Sequence, residues 1–263
     1  MAWSTNQVAL RVHALGVDFS GVRALEDVSF SVPAGGVSAV IGPNGAGKTT
    51  LFNCISGVAR HDGTVELEGC DLTHLRADRR AALGIARTFQ TPLLIPDLTA
   101  IDNVLLGAHP QLRGGLLGSI FRPPAVRSDE RLMRARASEL LARLGLPRAD
   151  VPVDSLPHGD RRRVEVVRAL LPEPRLLLLD EPAAGLGADE ASELLGEVEA
   201  FAAAVGTTCV LVEHDVGLVM RVSRHVVVLD AGRLLLAGSP AEVAADPRVI
   251  AAYLGDDWSE VKT

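Results

Sequence analysis

Aromatic residues are scarce: one Tyr, two Trp and six Phe make up 3% of the 263 residues. That argues against a platform of stacked rings for single-stranded nucleic acid. Lysine is scarcer still. Lys48 and Lys262 are the two lysines among 26 Lys and Arg, so the position of Lys48 is informative. The three cysteines, Cys54, Cys70 and Cys209, contain no CxxC pair and are odd in number. They point away from a disulfide framework or a thiolate metal site, and are expected as small buried hydrophobes in a reducing compartment. Asp and Glu number 33 against 26 cations, a net charge of −7 that disfavours a nucleic-acid partner. Long apolar runs are missing too. Leu176 to Leu179 and Val226 to Leu229 are strand-sized, whereas a membrane-spanning helix needs about 20 mostly apolar residues. The first residues lack the basic stretch and apolar block of a secretory signal, so a cytoplasmic chain is expected.

Hydrophobic residues at 48% and charged residues at 22% suit a globular chain with a sizeable core. Residues 8–41 read as strands: Val8, Leu10 and Val12 alternate with other residues, as do Val28, Phe30 and Val32. Val37 to Ile41 resembles a central strand, and a helix through about Ser56 follows, stopped by Gly57. Residues 92–171 differ, with five prolines in their first part. Helices are then expected from Ser128 to Leu144, with Leu132, Ala135, Leu140, Leu141 and Leu144 on one side, and from Gly159 to Leu171. Strands Arg175–Asp180, Thr207–Glu213 and His225–Asp230 alternate with helices Ala188–Ala204 and Val216–Val222. A hairpin to Leu236 and one or two short helices end the chain. Alternating strands and helices favour a mainly parallel sheet, so the expected fold is α/β. Residues 1–91 and 172–238 form its core and β-subdomain, 92–171 an inserted helical subdomain, and 239–263 a helical tail.

Gly42-Pro43-Asn44-Gly45-Ala46-Gly47-Lys48-Thr49 fits G-x-x-x-x-G-K-[ST] in full, between an expected strand and helix. Glycines let backbone N–H groups turn inward around phosphates, and the helix N-terminus adds partial positive charge. Lys48 would neutralise the β and γ phosphates, and the Thr49 hydroxyl, followed by Thr50, would ligate Mg²⁺. About 130 residues later, four leucines run into Asp180-Glu181-Pro182. Asp180 can hold Mg²⁺, and Glu181 can polarise the attacking water as general base.

With these residues the chain resembles the ATP-binding cassette (ABC) ATPases. The resemblance implies a P-loop NTPase core with an N-terminal antiparallel β-subdomain and an inserted α-helical subdomain. It assigns Gln90, within Arg87-Thr88-Phe89-Gln90, to the metal site and His214 to the switch position beside Glu181. Phe19 is the candidate for stacking on adenine. Leu156-Pro157-His158-Gly159-Asp160 matches the signature that reaches a partner's ATP across a dimer. It departs from the common serine-glycine-glycine-glutamine form, since Pro157 has no hydroxyl and Asp160 stands where glutamine is usual. Arg162 and Arg163, which follow, are expected on a solvated helix face. In the loop after the carboxylates, Gly187 stands where aspartate is typical, so communication between the two ATP sites is expected to be altered.

The stretches Ile41–Asn53, Ala86–Gln90, Asp180–Gly185 and Asp246–Gly255 are similar to the ATPase subunit of branched-chain amino-acid uptake systems. That likeness implies membrane permease subunits, a second ABC ATPase subunit in a homo- or heterodimer, and indirectly an extracytoplasmic substrate-binding protein. It places the chain peripherally on the inner face of the cell membrane, with Pro92 to about Arg127 as coupling surface. ATPases of related urea, amide or lipopolysaccharide transporters remain alternatives, as does a soluble regulatory P-loop NTPase.

Overall fold

A computed structural model describes residues 8–19, 21–90, 93–111 and 124–253. Residues 92 and 112–123 of the expected coupling surface, and the tail beyond Tyr253, lie outside the described residues. The chain divides into two compact units. One comprises Met1–Arg87, Arg175–Glu181 and Val198–Thr263; the other comprises Thr88–Pro174 and Pro182–Glu197.

The first unit opens with β1 (Val8–Phe19), β2 (Val22–Pro33), β3 (Gly36–Ile41), α1 (Lys48–Ile55), β4 (Asp62–Leu67), β5 (Cys70–Asp71), α2 (Ala77–Ala82) and β6 (Ile85–Arg87). The second carries α3 (Ala100–Leu105), α4 (Pro124–Arg143) and α5 (His158–Leu170). The chain continues through β7 (Leu176–Asp180), α6 (Ala188–Val205), β8 (Thr208–Val212), α7 (Val216–Val222), β9 (His225–Asp230), β10 (Arg233–Gly238), α8 (Pro240–Ala245) and α9 (Pro247–Ala252).

Two sheets organise the first unit. An antiparallel sheet runs β2-β1-β4-β5. A six-stranded sheet runs β10-β9-β3-β8-β7-β6, parallel except for the β10 edge. Strands β3, β7 and β8 are buried at every position, as a parallel sheet covered on both faces requires. Leu10, Val12, Val28, Phe30 and Val32 of the antiparallel sheet join Leu51, Phe52 and Ile55 of α1 in one core cluster.

Helix α1 ends where expected, with Ser56 at its C-cap and Gly57 beyond. Its last carbonyls are held by Arg80, a fully buried cation. Arg80 Nη1 donates to Cys54 O at 2.6 Å and to Ile55 O at 2.9 Å, while Nε donates to Leu75 O at 2.9 Å. A guanidinium at a helix C-terminus both satisfies orphan carbonyls and complements the helix dipole.

Three expectations need correction. Cys54 and Cys209 are buried, and burial pushes both thiols up to about 12; Cys70, on the short edge strand β5, is exposed. On α4, Leu132 and Ala135 are exposed, and the buried stripe is Ala137, Leu140, Leu141 and Leu144. At about 100° per residue, Leu132 sits roughly 140° around the helix from Ala137, so the two cannot share that face.

The third correction concerns Arg162 and Arg163, which are buried rather than solvated. Arg162 Nη1 donates to Glu165 Oε2 at 3.2 Å and to Phe89 O at 3.0 Å, and Nη2 donates to Gln90 O. Glu165, also buried, accepts from Phe89 N at 3.0 Å, and Arg168 lies 3.9 Å away. Arg163 pairs with Asp160 at 3.1 Å. Burial pushes the Glu165 carboxyl up, and its arginine neighbours oppose that shift. Removing one side of a buried pair strands the other's charge at a cost of about 3 kcal/mol or more. Glu165→Ala is therefore expected to lower unfolding free energy by about 3 kcal/mol. Glu165→Gln strands the same charge but still accepts from Phe89 N and Arg162, so it is expected to cost less than Glu165→Ala by the value of those hydrogen bonds. Equal losses in denaturant titrations would show that the hydrogen bonds contribute nothing.

Candidate nucleotide site

The turn between β3 and α1 is shaped by glycine. Gly47 caps α1 at φ +98°, where an added Cβ would meet Ala24 O at 2.8 Å and Leu25 Cδ2 at 2.7 Å. At Gly42 an added Cβ would lie 2.2 Å from Leu229 O, so β9 passes too close for any side chain. Ala46 N donates to Pro43 O at 3.1 Å and closes the turn, leaving Asn44, Gly45 and Thr49 exposed. No side chain caps α1 and no acidic residue occupies its first turn. Its amides and dipole are therefore open to an anion.

Lys48 is buried, and its Nζ donates to Gly42 O at 2.7 Å and Pro43 O at 3.1 Å. Burial draws its pKa below the usual lysine range; Glu181 and Asp180 pull the other way. The ammonium thus sits inside the loop it stabilises, with two carboxylates in its field.

Those carboxylates arrive on β7. Asp180 is almost fully buried, and its Oδ2 accepts from Arg87 Nη2 at 3.0 Å. Glu181 follows at φ +50°, in the left-handed region that non-glycine residues rarely occupy, while its N–H still donates to Val212 O at 2.9 Å. Strain of this kind costs about 1–3 kcal/mol and clusters at functional sites. Its side chain turns to His214, whose Nε2 lies 2.7 Å from Glu181 Oε1. His214 is half exposed, directly before the Asp215 cap of α7, where Asp215 Oδ1 accepts from Leu218 N at 2.8 Å.

Within the first unit, the P-loop, Lys48, Asp180, Glu181 and His214 are thus linked by contact or by close charge. Phe19 ends β1 and is 52% exposed, so it is not a core residue. In the second unit, Gln90 is exposed and its backbone carbonyl is held by Arg162. Pro157 stands at the N-cap of α5 and supplies no capping bond, as its missing hydroxyl dictates. Gly185 lies close enough to His158 that an added Cβ would meet Nδ1 at 3.3 Å. Gly187 N donates to Glu190 Oε2 at 3.2 Å, so a glutamate three residues on serves the start of α6.

Arg87, Asn53 and Tyr253 lie in stretches that resemble the branched-chain cassettes, but sequence reasoning assigned none of them a role. Arg87 bridges α1 and Asp180. Tyr253, the chain's one tyrosine, is buried and hydrogen-bonds with the Gly42 backbone; burial raises its phenol pKa.

Among the described residues no group of three or more His, Cys, Asp or Glu could hold a metal. The oxygen donors here are the exposed Thr49 hydroxyl and the Asp180 carboxylate. Mg²⁺ fits so sparse a set, because it keeps several waters and takes further ligands from substrate phosphates.

Residues 25–184 match the family described as ABC transporter. The chain belongs to the ABC transporter family. Residues 233–259 of this ABC ATPase also match a family described as branched-chain amino acid ATP-binding cassette transporter. It is 38% identical over 253 residues to the high-affinity branched-chain amino acid transport ATP-binding protein LivG of Salmonella typhimurium, covering 95% of this chain and 99% of that one. It is 37% identical over 249 residues to BraF of Pseudomonas aeruginosa, covering 94% and 98%. A crystal structure of an ABC transporter cassette in its ADP conformation is 32% identical, with TM-score 0.81, covering 95% of this chain and 100% of that one. The ABC ATPase fold, nucleotide binding and ATP hydrolysis by a transporter subunit follow from this membership.

A charge-assisted hydrogen bond to phosphate is worth about 1.5–3 kcal/mol, or roughly tenfold or more in affinity. Lys48→Ala is expected to weaken ATP binding by at least about tenfold and to abolish measurable phosphate release. Nucleotide titration by calorimetry checks the first, and unchanged affinity would remove Lys48 from the site.

Proposed function

We propose that this ABC ATPase powers uptake of branched-chain or related amino acids. The match of residues 233–259 to the branched-chain cassette family carries this reading, and the likeness to LivG and BraF along nearly the whole chain supports it. Among the described residues no helix is long and apolar enough to cross a membrane. The permease is then a separate set of membrane subunits, with this chain bound peripherally on their cytoplasmic face. An extracytoplasmic binding protein would select the amino acid.

The P-loop amides from Gly42 to Thr50 and the Lys48 ammonium would bind the phosphates, and the exposed Phe19 ring would stack on adenine. Thr49 and Asp180 would hold Mg²⁺, with Gln90 joining them on the strength of resemblance alone. Bound there, the ion would neutralise charge on the β and γ phosphates. Glu181 would take the proton of the attacking water, and His214, 2.7 Å from its carboxylate, would hold that side chain in place.

Two subunits would close head to tail on two ATP molecules, each meeting the partner's Leu156, Pro157, His158, Gly159 and Asp160. With no serine hydroxyl at Pro157, that contact rests on the backbone amides that open α5. Closure would be favoured by ATP and released after hydrolysis, which is gating by differential affinity for two states.

Loss of a general base slows its step by about 10²–10⁴-fold. Glu181→Gln is expected to bind ATP normally, hydrolyse it at least about 100-fold more slowly, and accumulate as a dimer in light scattering. A monomer at saturating ATP would count against paired closure. For the substrate, tagged chain purified from detergent-solubilised membranes of its host should bring down polytopic subunits and a second cassette. Disrupting its gene should abolish uptake of radiolabelled leucine; undiminished leucine, isoleucine and valine uptake would overturn the assignment.

A further inference from the structure

Arg87 is buried, with 6% of its side chain exposed, and its guanidinium joins two elements of the first unit. Pairing of β6 with β7 sets Arg87 opposite Leu178, two residues before Asp180. From there Nη2 donates to Asp180 Oδ2 at 3.0 Å. The other terminal nitrogen, Nη1, donates to Asn53 Oδ1 at 2.7 Å and Ser56 Oγ at 3.1 Å, both on α1 or at its C-cap. The guanidinium carbon lies 5.7 Å from the Phe52 ring centroid, within cation–π range.

Stability alone is a weak account of this arrangement. A buried ion pair often does no better than well-packed apolar residues of the same volume, because both charges lose their hydration. What an arginine supplies, and an apolar pair does not, is a rigid fork with two ends. Here one end grips the carboxylate at the end of β7. The other grips the helix whose first turn carries Lys48 and Thr49.

We propose that Arg87 is a positioning residue for the metal–nucleotide site, setting the spacing between the Asp180 carboxylate and the helix that bears Thr49. The inference rests on the reading of Thr49 and Asp180 as Mg²⁺ ligands. Groups that orient metal ligands from behind commonly govern metal affinity by about 10–100-fold. Lysine at 87 would offer a single point charge, able to reach Asp180 or Asn53 but not to fix both.

The full-length chain with Arg87→Met, Arg87→Lys and Asn53→Ala provides the test. ATP binding is measured by calorimetry with Mg²⁺ and with EDTA, and hydrolysis is titrated with Mg²⁺. Arg87→Met is expected to raise the half-saturating Mg²⁺ concentration about tenfold or more. It should weaken Mg²⁺–ATP binding while leaving metal-free ATP binding unchanged. Arg87→Lys should recover part of the loss, and Asn53→Ala should shift the Mg²⁺ requirement the same way but less. Equal weakening with and without Mg²⁺ would reduce Arg87 to a structural part and overturn the proposal. An unaltered Mg²⁺ requirement would overturn it as well. If Arg87→Met does not fold, Asn53→Ala decides by the same criterion. A wild-type chain indifferent to Mg²⁺ would refute the metal-site reading itself, and this inference with it.

Discussion

The register of three parallel strands is the constraint on which the nucleotide site depends. Val40 of β3 pairs with Val212 of β8, and Val212 pairs with Asp180 of β7, so residues 40, 212 and 180 form one row across the sheet. The P-loop begins two residues beyond that row at Gly42, His214 stands two beyond Val212, and Glu181 one beyond Asp180. Groups scattered over more than 170 positions of sequence thus emerge from the carboxyl edge of one sheet, where open α/β folds bind ligands. A one-residue slip of β7 would turn Asp180 to the opposite face and separate the acid from the lysine.

Charge is buried in both units, and the buried cations described above are held by hydrogen bonds to carboxylates or backbone carbonyls. In the first, Arg87 pairs with Asp180 while Lys48 is held by the Gly42 and Pro43 carbonyls; in the second, Arg162 and Arg168 flank Glu165. The second group does more than satisfy itself. By holding the backbone of Phe89 and Gln90, it attaches that segment to the helix whose first turn carries His158, Gly159 and Asp160. Against this rigid setting, Glu181 alone among the acidic candidates carries backbone strain, at φ +50°. A strained residue stays in place when its surroundings over-determine it, and here the Val212 and His214 contacts act on the same residue.

What could be read from the sequence was what short-range pattern dictates. Gly42 to Thr49 and Leu176 to Glu181 announce their chemistry because residue type and spacing there are imposed by local geometry. The bounds of α7 and β9 likewise follow from the Asp215 cap and a clean run of apolar residues. Long-range partners left no such trace. Arg162 and Arg163 look like a solvated face until Glu165, Asp160 and the Phe89 carbonyl are placed around them. Leu132 looks like a core residue until the rotation of α4 is known. Arg87 is silent for the same reason, since its partners lie 31 to 93 residues away. Strands as short as β5 and β6 offer too few residues for alternation to register.

The place of β3 in its sheet also dictates the order in which the molecule can assemble. Its two neighbours are β8 and β9, which begin at Thr208 and His225, so the central strand is made early and its partners near the end. At about 5–20 residues per second, ribosomal synthesis leaves β3 unpaired for roughly ten to forty seconds. During that time its ladder edges have no native partner strand. A nascent chain can complete its antiparallel β2-β1-β4-β5 sheet from residues already synthesised, but not its nucleotide site. Tyr253 seats against Gly42 later still. A product truncated before β8 and β9 therefore lacks both strands that flank β3, and a chaperone that shields β3 would act on the emerging N-terminal third of the chain.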